Sequence, residues 1–323
     1  RLLAPLRRNG QTDLPLIPNE IYLHIFECMA PADQPLSDQY VETFSALALV
    51  CRFFCSVALP RIFERVTFSA NTHTNSTLAS RKTKWAGQIL SNTEPAMSLA
   101  LYVKECTFDS WALYKEAKWP FPFESLYCQA MTRMSNIQKV VFSASRVKTD
   151  HWEALAELKQ LDVLEFHSCS FIDDPPDKEL TVRSVWLSYS STTLTLRPIA
   201  TTSLRSLKAN NVEIALKIVA FRQLDIDYLV LDEEITDIEP LLDVFRHLPS
   251  LQNVSFGIAG WALASLYGKL SLKKLFTRLH SFTIDAIDSR VPRDDDDIKM
   301  VCFIPRILLS RQLIFVAASI QYM

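Results

Sequence analysis

Glycine is scarce in this 323-residue chain, with five in all. That leaves little room for a Gly-rich loop that cradles phosphate, and neither a Gly-x-Ser-x-Gly elbow nor a His-Glu-x-x-His pair is present. No spacing sets a nucleophile beside a base, so no catalytic residue and no cofactor is expected. A Cys-x-x-Cys pair is also missing. The seven cysteines are odd in number, scattered through apolar segments and not clustered with the six histidines, which fits neither a disulfide framework nor a zinc site. Such cysteines read as small core residues in a reducing compartment, the cytosol or the nucleus.

Charge of one sign is lacking too. Lys and Arg number 34 against 36 Asp and Glu, and a net charge of -2 gives the chain no electrostatic reason to seek nucleic acid or an anionic membrane. The opening "RLLAPLRRNG" has basic residues but no apolar run behind them, so no secretory signal is read. The chain starts on Arg1 rather than Met, as a fragment would, and residues 1–13 are expected to be disordered or truncated. A long uninterrupted apolar run is absent. Val301 to Ile320 has the length of a span, but Pro305, Arg306 and Arg311 interrupt it, and a central arginine costs about 2.5–3.5 kcal/mol on insertion scales. Residues 291–323 therefore read as an acidic loop and a buried or non-native apolar tail. "RDDDD" at Arg293 to Asp297 lacks the alternating ligands, glycine and closing glutamate of a calcium loop and reads as a solvated loop. His167 and Cys169 lie two apart with no second pair to complete a metal site.

What is there is apolar. Hydrophobic residues make up 49% of the chain, enough for a sizeable core. Pro18 suits the first turn of a helix running to about Met29, with Glu20 near its positive end. Ile17, Ile21, Ile25 and Met29 form one row along it, and Leu23 and Phe26 widen the apolar face. A second helix is expected from about Asp38 to Ala58, with Val41, Phe44, Leu47, Val50, Cys51, Phe54 and Cys55 around most of its cylinder. A unit of this size cannot hide all of these residues internally. They fit packing on the rest of the chain, and they fit equally a surface for another protein.

"IPNEIYLHIF", followed after a loop by "ALALVCRFFCSVALPRIF", resembles the F-box over Leu14 to Phe63. The shared features are the Pro-x-Glu-Ile opening, the Ile-Phe pair and the Val-Cys-Arg run with an aromatic after it. Ile17 stands where Leu is usual, and the loop at Ala30 to Gln39 is longer than in compact members. The resemblance implies a helical module over 14–63 that docks a Skp-type adaptor, and through it a cullin. The implied contacts are Ile17, Pro18, Ile21, Ile25 and Phe26, with Leu49, Val50, Cys51 and Phe53.

Over 64–290 one template recurs, apolar-x-x-apolar-x-apolar, most fully at Leu161 and Leu204. Related matches start at Ser98, Ile137, Val182, Ile226, Leu251 and Leu279. Helical stretches at "TDHWEALAELKQ", "IEPLLDVFRHLPS" and "WALASLYGKLSLKKLF" separate some of them. "PRIFERVTF", Pro60 to Phe68, reads as a strand-like entry to the stack. The series resembles a degenerate leucine-rich repeat, which implies an α/β solenoid with a curved parallel sheet and outer helices. Cys106 and Cys169 then take the place of the Asn or Cys found at the turn after each strand. Strand alternation would put Tyr102 and Lys104, Glu165 and His167, Trp186 and Tyr189, Lys208 and Asn210, and Tyr228 and Asp232 on one concave face. Aromatics among mixed charges suit recognition of a protein substrate not identified by the sequence. The expected whole is a substrate adaptor for a cullin-RING ubiquitin ligase. A repeat scaffold outside ubiquitination, or a hydrolase whose site the repeats obscure, are the alternatives.

Overall fold

The computed structural model describes residues 18–29, 38–70, 76–111, 122–172, 179–189, 199, 203–220, 224–259, 281–287 and 299–302. The chain is an α/β protein whose strands pair mostly in parallel. It divides into two compact units, Arg1–Ser145 with Glu157–Leu161, and Arg146–Ala156 with Asp162–Met323. The N-terminal helices share a unit with the first strands.

In the first unit α1 spans Asn19–Met29, α2 Asp38–Ala48 and α3 Arg52–Phe63. The single helix expected over 38–58 is two. Leu49 and Val50 make a turn, Cys51 is extended, and its Sγ accepts the Phe54 N–H at 3.5 Å to cap α3. The break has a packing cause: one straight helix would point its apolar residues all round, whereas two short ones fold Phe44 and Ala58 into one core with Phe26. The Phe26 ring lies 5.4 Å from Phe44 and 5.5 Å from Phe54.

The chain passes from α3 to β1, Arg65–Ser69, with Glu64 alone between them. The strand expected across 60–68 is therefore confined to its second half. Helices α4, Ser76–Leu90, and α5, Ala96–Ala100, lead to β2, Glu105–Asp109, and α6, Pro122–Thr132, leads to β3, Lys139–Ser143. β1, β2 and β3 pair in parallel and in sequence order, as crossovers of this length allow. Phe68, Phe108 and Phe142 are cross-strand partners on the inward side, with ring centroids 5.7 and 5.2 Å apart. Two expectations are corrected here. Ser98 falls within α5, and the apolar template that feeds β2 starts at Val103, giving Val103, Cys106 and Phe108, all fully buried. Cys106 is accordingly an inward strand residue rather than a turn residue, and burial pushes its thiol pKa up.

The second unit opens with β4, Arg146–Val147, and α7, Thr149–Leu155. β5 is Val163–His167, β6 Ser170–Phe171, β7 Ser184–Ser188, and β8 Ser206–Ala209. Then come α8, Val212–Val219, β9, Tyr228–Ile235, α9, Ile238–His247, β10, Asn253–Ala259, β11, Ser281–Ile287, and β12, Lys299–Cys302. β5, β7, β8, β9, β10 and β11 pair in parallel in that order, β12 joins β11 antiparallel, and β4 pairs with β6. Asn211 caps α8 by accepting the Ile214 N–H at 3.0 Å, and Asp237 caps α9 by accepting that of Glu239 at 3.0 Å. Helix α7 ends five residues before the Gln160 expected. His151 in it is buried, its Nδ1 accepts the Lys148 N–H at 3.1 Å, and burial, with Lys148 nearby, pushes its pKa down to about 4.

One device recurs in both units. The carbonyl just before a strand accepts two N–H groups from the entry to the next. Glu64 takes those of Lys104 and Glu105, Lys104 those of Gln138 and Lys139, Asp162 those of Arg183 and Ser184, and Arg205 those of Asp227 and Tyr228. At the far end, Ser110, Ala144, Ser168 and Tyr189 each follow a strand directly with positive φ, from 44° to 63°. Non-glycine residues pay about 1–2 kcal/mol for that conformation, and here they hold it at the same step of successive strands. The helix expected at 261–276 and the "RDDDD" run lie outside the described residues, as do residues 303–320 of the apolar tail.

Candidate functional site

Two surfaces carry the expected residues. On the helical one, Ile21 and Ile25 stand one turn apart on α1 and are each about half exposed. The turn after α2 presents Leu49 and Val50, 88% and 64% exposed, and Tyr40 on α2 is exposed as well. Pro18 is exposed and Cys51 half-buried, its sulfur engaged in the α3 cap. Phe26 and Phe53 are corrected: both are buried, Phe53 beside Tyr22 and Phe54, so they hold the helices together rather than facing outward. Periodicity could not separate Phe26 from Ile21 and Ile25, because the apolar face of α1 is wider than the strip its neighbours cover. Ile17 lies outside the described residues.

The other surface is the outward side of the second unit's sheet. Register places Glu165 opposite Trp186, and Trp186 opposite Lys208. Each lies four residues after the start of its repeat, so the row is readable from repeat spacing. The side chains form a connected chain across four strands. His167 Nε2 is 3.2 Å from Glu165 Oε2, and the His167 ring meets Trp186 edge to face at 4.5 Å. Lys208 Nζ sits 3.6 Å from the Trp186 ring centroid and 3.2 Å from Asp232 Oδ1. Glu165 is buried, and Trp186 and Lys208 are half-buried. The Trp186 indole N–H is buried with no acceptor among the described residues. The register between β9 and β10 shifts after Leu231 and Phe256, so Asp232 and Glu233 of β9 are passed over in the pairing, and Glu233 accepts a hydrogen bond from Asn210.

Three expected face residues sit elsewhere than on a strand interior. Tyr189 is one past β7 and 70% exposed, Tyr228 is the first residue of β9 and exposed, and Asn210 follows β8 and is buried. Tyr102 is corrected more fully, because with Lys104 it precedes β2. Both line a cavity of about 240 Å³ in the first unit, together with Pro60, Arg61, Glu64 and Gln138. Glu64 there pairs with Arg61 at 3.2 Å and Lys104 at 3.0 Å, so the cavity's charges are largely met internally. The stacking of Lys208 on Trp186 was missed by sequence reasoning, although the equal repeat offsets signal the adjacency.

Among the described residues no three His, Cys, Asp or Glu side chains stand together as a metal site, and no helix is long and apolar enough to cross a membrane. No protein-family model matches this chain, and no curated protein is significantly similar to it.

Proposed function

We propose that this chain is the substrate-recognition subunit of an SCF-type cullin-RING ubiquitin ligase. Its N-terminal helices act as an F-box that docks a Skp-type adaptor, and the following strands act as a leucine-rich-repeat-like solenoid that holds a protein substrate. The observation that carries the reading is that Ile21 and Ile25 stay half-exposed and Leu49 and Val50 exposed on helices whose own core is already filled by Phe26, Phe44 and Ala58. Apolar side chains left outside a completed core gain by burial against a partner, at about 25 cal/mol per Å². The parallel strands, with the same backbone bonding at the entries to β2, β3, β7, β8, β9 and β10, support the solenoid.

The mechanism is proximity. Two binding surfaces on one chain raise the effective concentration of a substrate lysine near a ubiquitin-loaded enzyme, and the chain itself makes no bond. It works in the cytosol or nucleus with a cullin as the more distant partner. Affinity purification with mass spectrometry tests this. The wild type should bring down adaptor, cullin and substrate together. Trp186→Ala with Tyr228→Ala should lose the substrate and keep adaptor and cullin, since aromatic truncation at a hot spot costs about 2 kcal/mol or more. Absence of adaptor and cullin from the wild-type sample would refute the reading.

A further inference from the structure

The strand residues of the second unit's recognition face are unbalanced in charge. Across β5, β7, β8 and β9 the carboxylates of the face are Asp232, Glu234 and Glu165, the last buried against His167, with Glu233 taken up by Asn210, against one ammonium, Lys208. At the strand entries the charges pair off, Arg183 with Asp162 and Arg205 with Asp225, so they leave this excess uncorrected.

We propose that the face captures a basic segment of its partner protein, rich in arginine, whose guanidinium groups lie on the aromatic rings beside the β9 carboxylates. The inference rests on reading this face as the recognition surface. Lys208 shows the geometry a bound cation would adopt: its Nζ is 3.6 Å from the Trp186 centroid and 3.2 Å from Asp232. A ring below and a carboxylate beside are the two features that hold a cation at an exposed site. Tyr189 and Tyr228 add two exposed rings, one directly after β7 and one opening β9. Arginine suits these rings better than lysine, because its planar, weakly hydrated guanidinium stacks and forks at once. An acidic segment would meet Asp232 and its neighbours with like charge. A purely apolar one would desolvate carboxylates without pairing them.

Fluorescence anisotropy of the full-length chain with labelled peptides tests this without any adaptor. A peptide of alternating Arg and Ser should bind, more weakly as salt rises, and its Glu-Ser counterpart should not. Asp232→Asn with Glu234→Gln should weaken the Arg-Ser peptide by about tenfold or more, a loss of 1.4 kcal/mol per tenfold. Lys208→Met removes the resident cation from Trp186 and should tighten binding several-fold. Equal binding of the Glu-Ser peptide, an unchanged affinity in the Asn/Gln variant, or weaker binding by Lys208→Met would each overturn the proposal. If the Arg-Ser peptide does not bind while Trp186→Ala with Tyr228→Ala still loses the captured partner, the basic class is wrong and the recognition face stands.

Discussion

The strands of the two units share an inward pattern and differ on the outside. Inside, β2, β3, β5, β7, β8, β9 and β10 each carry two buried apolar residues with one between them, such as Cys106 and Phe108 on β2, Val185 and Leu187 on β7, and Leu229 and Leu231 on β9. Outside, the first unit shows small or self-neutralising residues, with Arg65 on Glu105 at 3.4 Å and Lys139 on the same Glu105 at 4.0 Å. The second unit shows Trp186, His167 and Tyr228 in the equivalent rows. Both units bury aromatics on the inward side, Phe68, Phe108 and Phe142 in the first and Phe166 and Phe256 in the second, and only the second adds Trp186 and Tyr228 to the outward rows of its described strands. The inward row sets which residues fold together. The outward row is left to vary, and in the second unit it holds the residues suited to recognition.

Truncating one ring on each side gives the largest contrast. Phe108→Ala should cost about 3–5 kcal/mol through the cavity it leaves between Phe68 and Phe142. Trp186→Ala should cost only about 1 kcal/mol, the scale of its contact with Lys208 at a half-exposed site. Urea denaturation midpoints measure both, and equal losses would make Trp186 a core residue and dissolve the distinction.

Acid should act on the second unit through His151. Its pKa of about 4 lies below the ordinary 6.5, so the fold favours the neutral ring. That stability is fully present above pH 6.5 and is lost as pH falls through the window toward 4, a contribution of roughly 3 kcal/mol. Thermal melts between pH 7 and 4.5 should therefore fall more steeply for the wild type than for His151→Asn, whose side-chain oxygen can still accept the Lys148 N–H. Parallel slopes would show that other groups govern the acid response.

The smallest effect concerns the left-handed residues that both units place after their strands. Ala144→Gly in the first and Ser168→Gly in the second relieve a positive φ of 44° and 53°. Each should raise stability by no more than about 1 kcal/mol, because the freer unfolded chain offsets part of the relief. Differential scanning calorimetry reads the shift, and a clear destabilisation by either would mean the side chain itself holds its turn.

Much of the strand order was legible in the sequence, because each match from Ile137 onward precedes its strand by two residues, at Lys139, Val163, Ser184, Ser206, Tyr228, Asn253 and Ser281. Ser98 misled because α5 supplies apolar residues at helical spacing just before the real start at Val103. The break at Leu49 to Cys51 was hidden for another reason: neither Gly nor Pro marks it, and the capping group is a cysteine thiol, an uncommon choice. Alternation set Glu165, Trp186 and Lys208 in one row, and their register on β5, β7 and β8 matches. Alternation misplaced Tyr102, and helical periodicity could not tell Phe26, packed against Phe44 in the core, from the half-exposed Ile25 of the same helix.

Direct titration of the full-length chain with a purified Skp-type adaptor bears most closely on the two-part reading. A saturable one-to-one complex is expected for the wild type. Ile25→Asp should abolish it by placing a charge at an apolar contact, while the melting behaviour stays within about 0.5 kcal/mol of wild type because Ile25 is half exposed. No heat of binding with the wild type, or undiminished binding by a folded Ile25→Asp, would contradict the assignment of these helices as an adaptor-docking module.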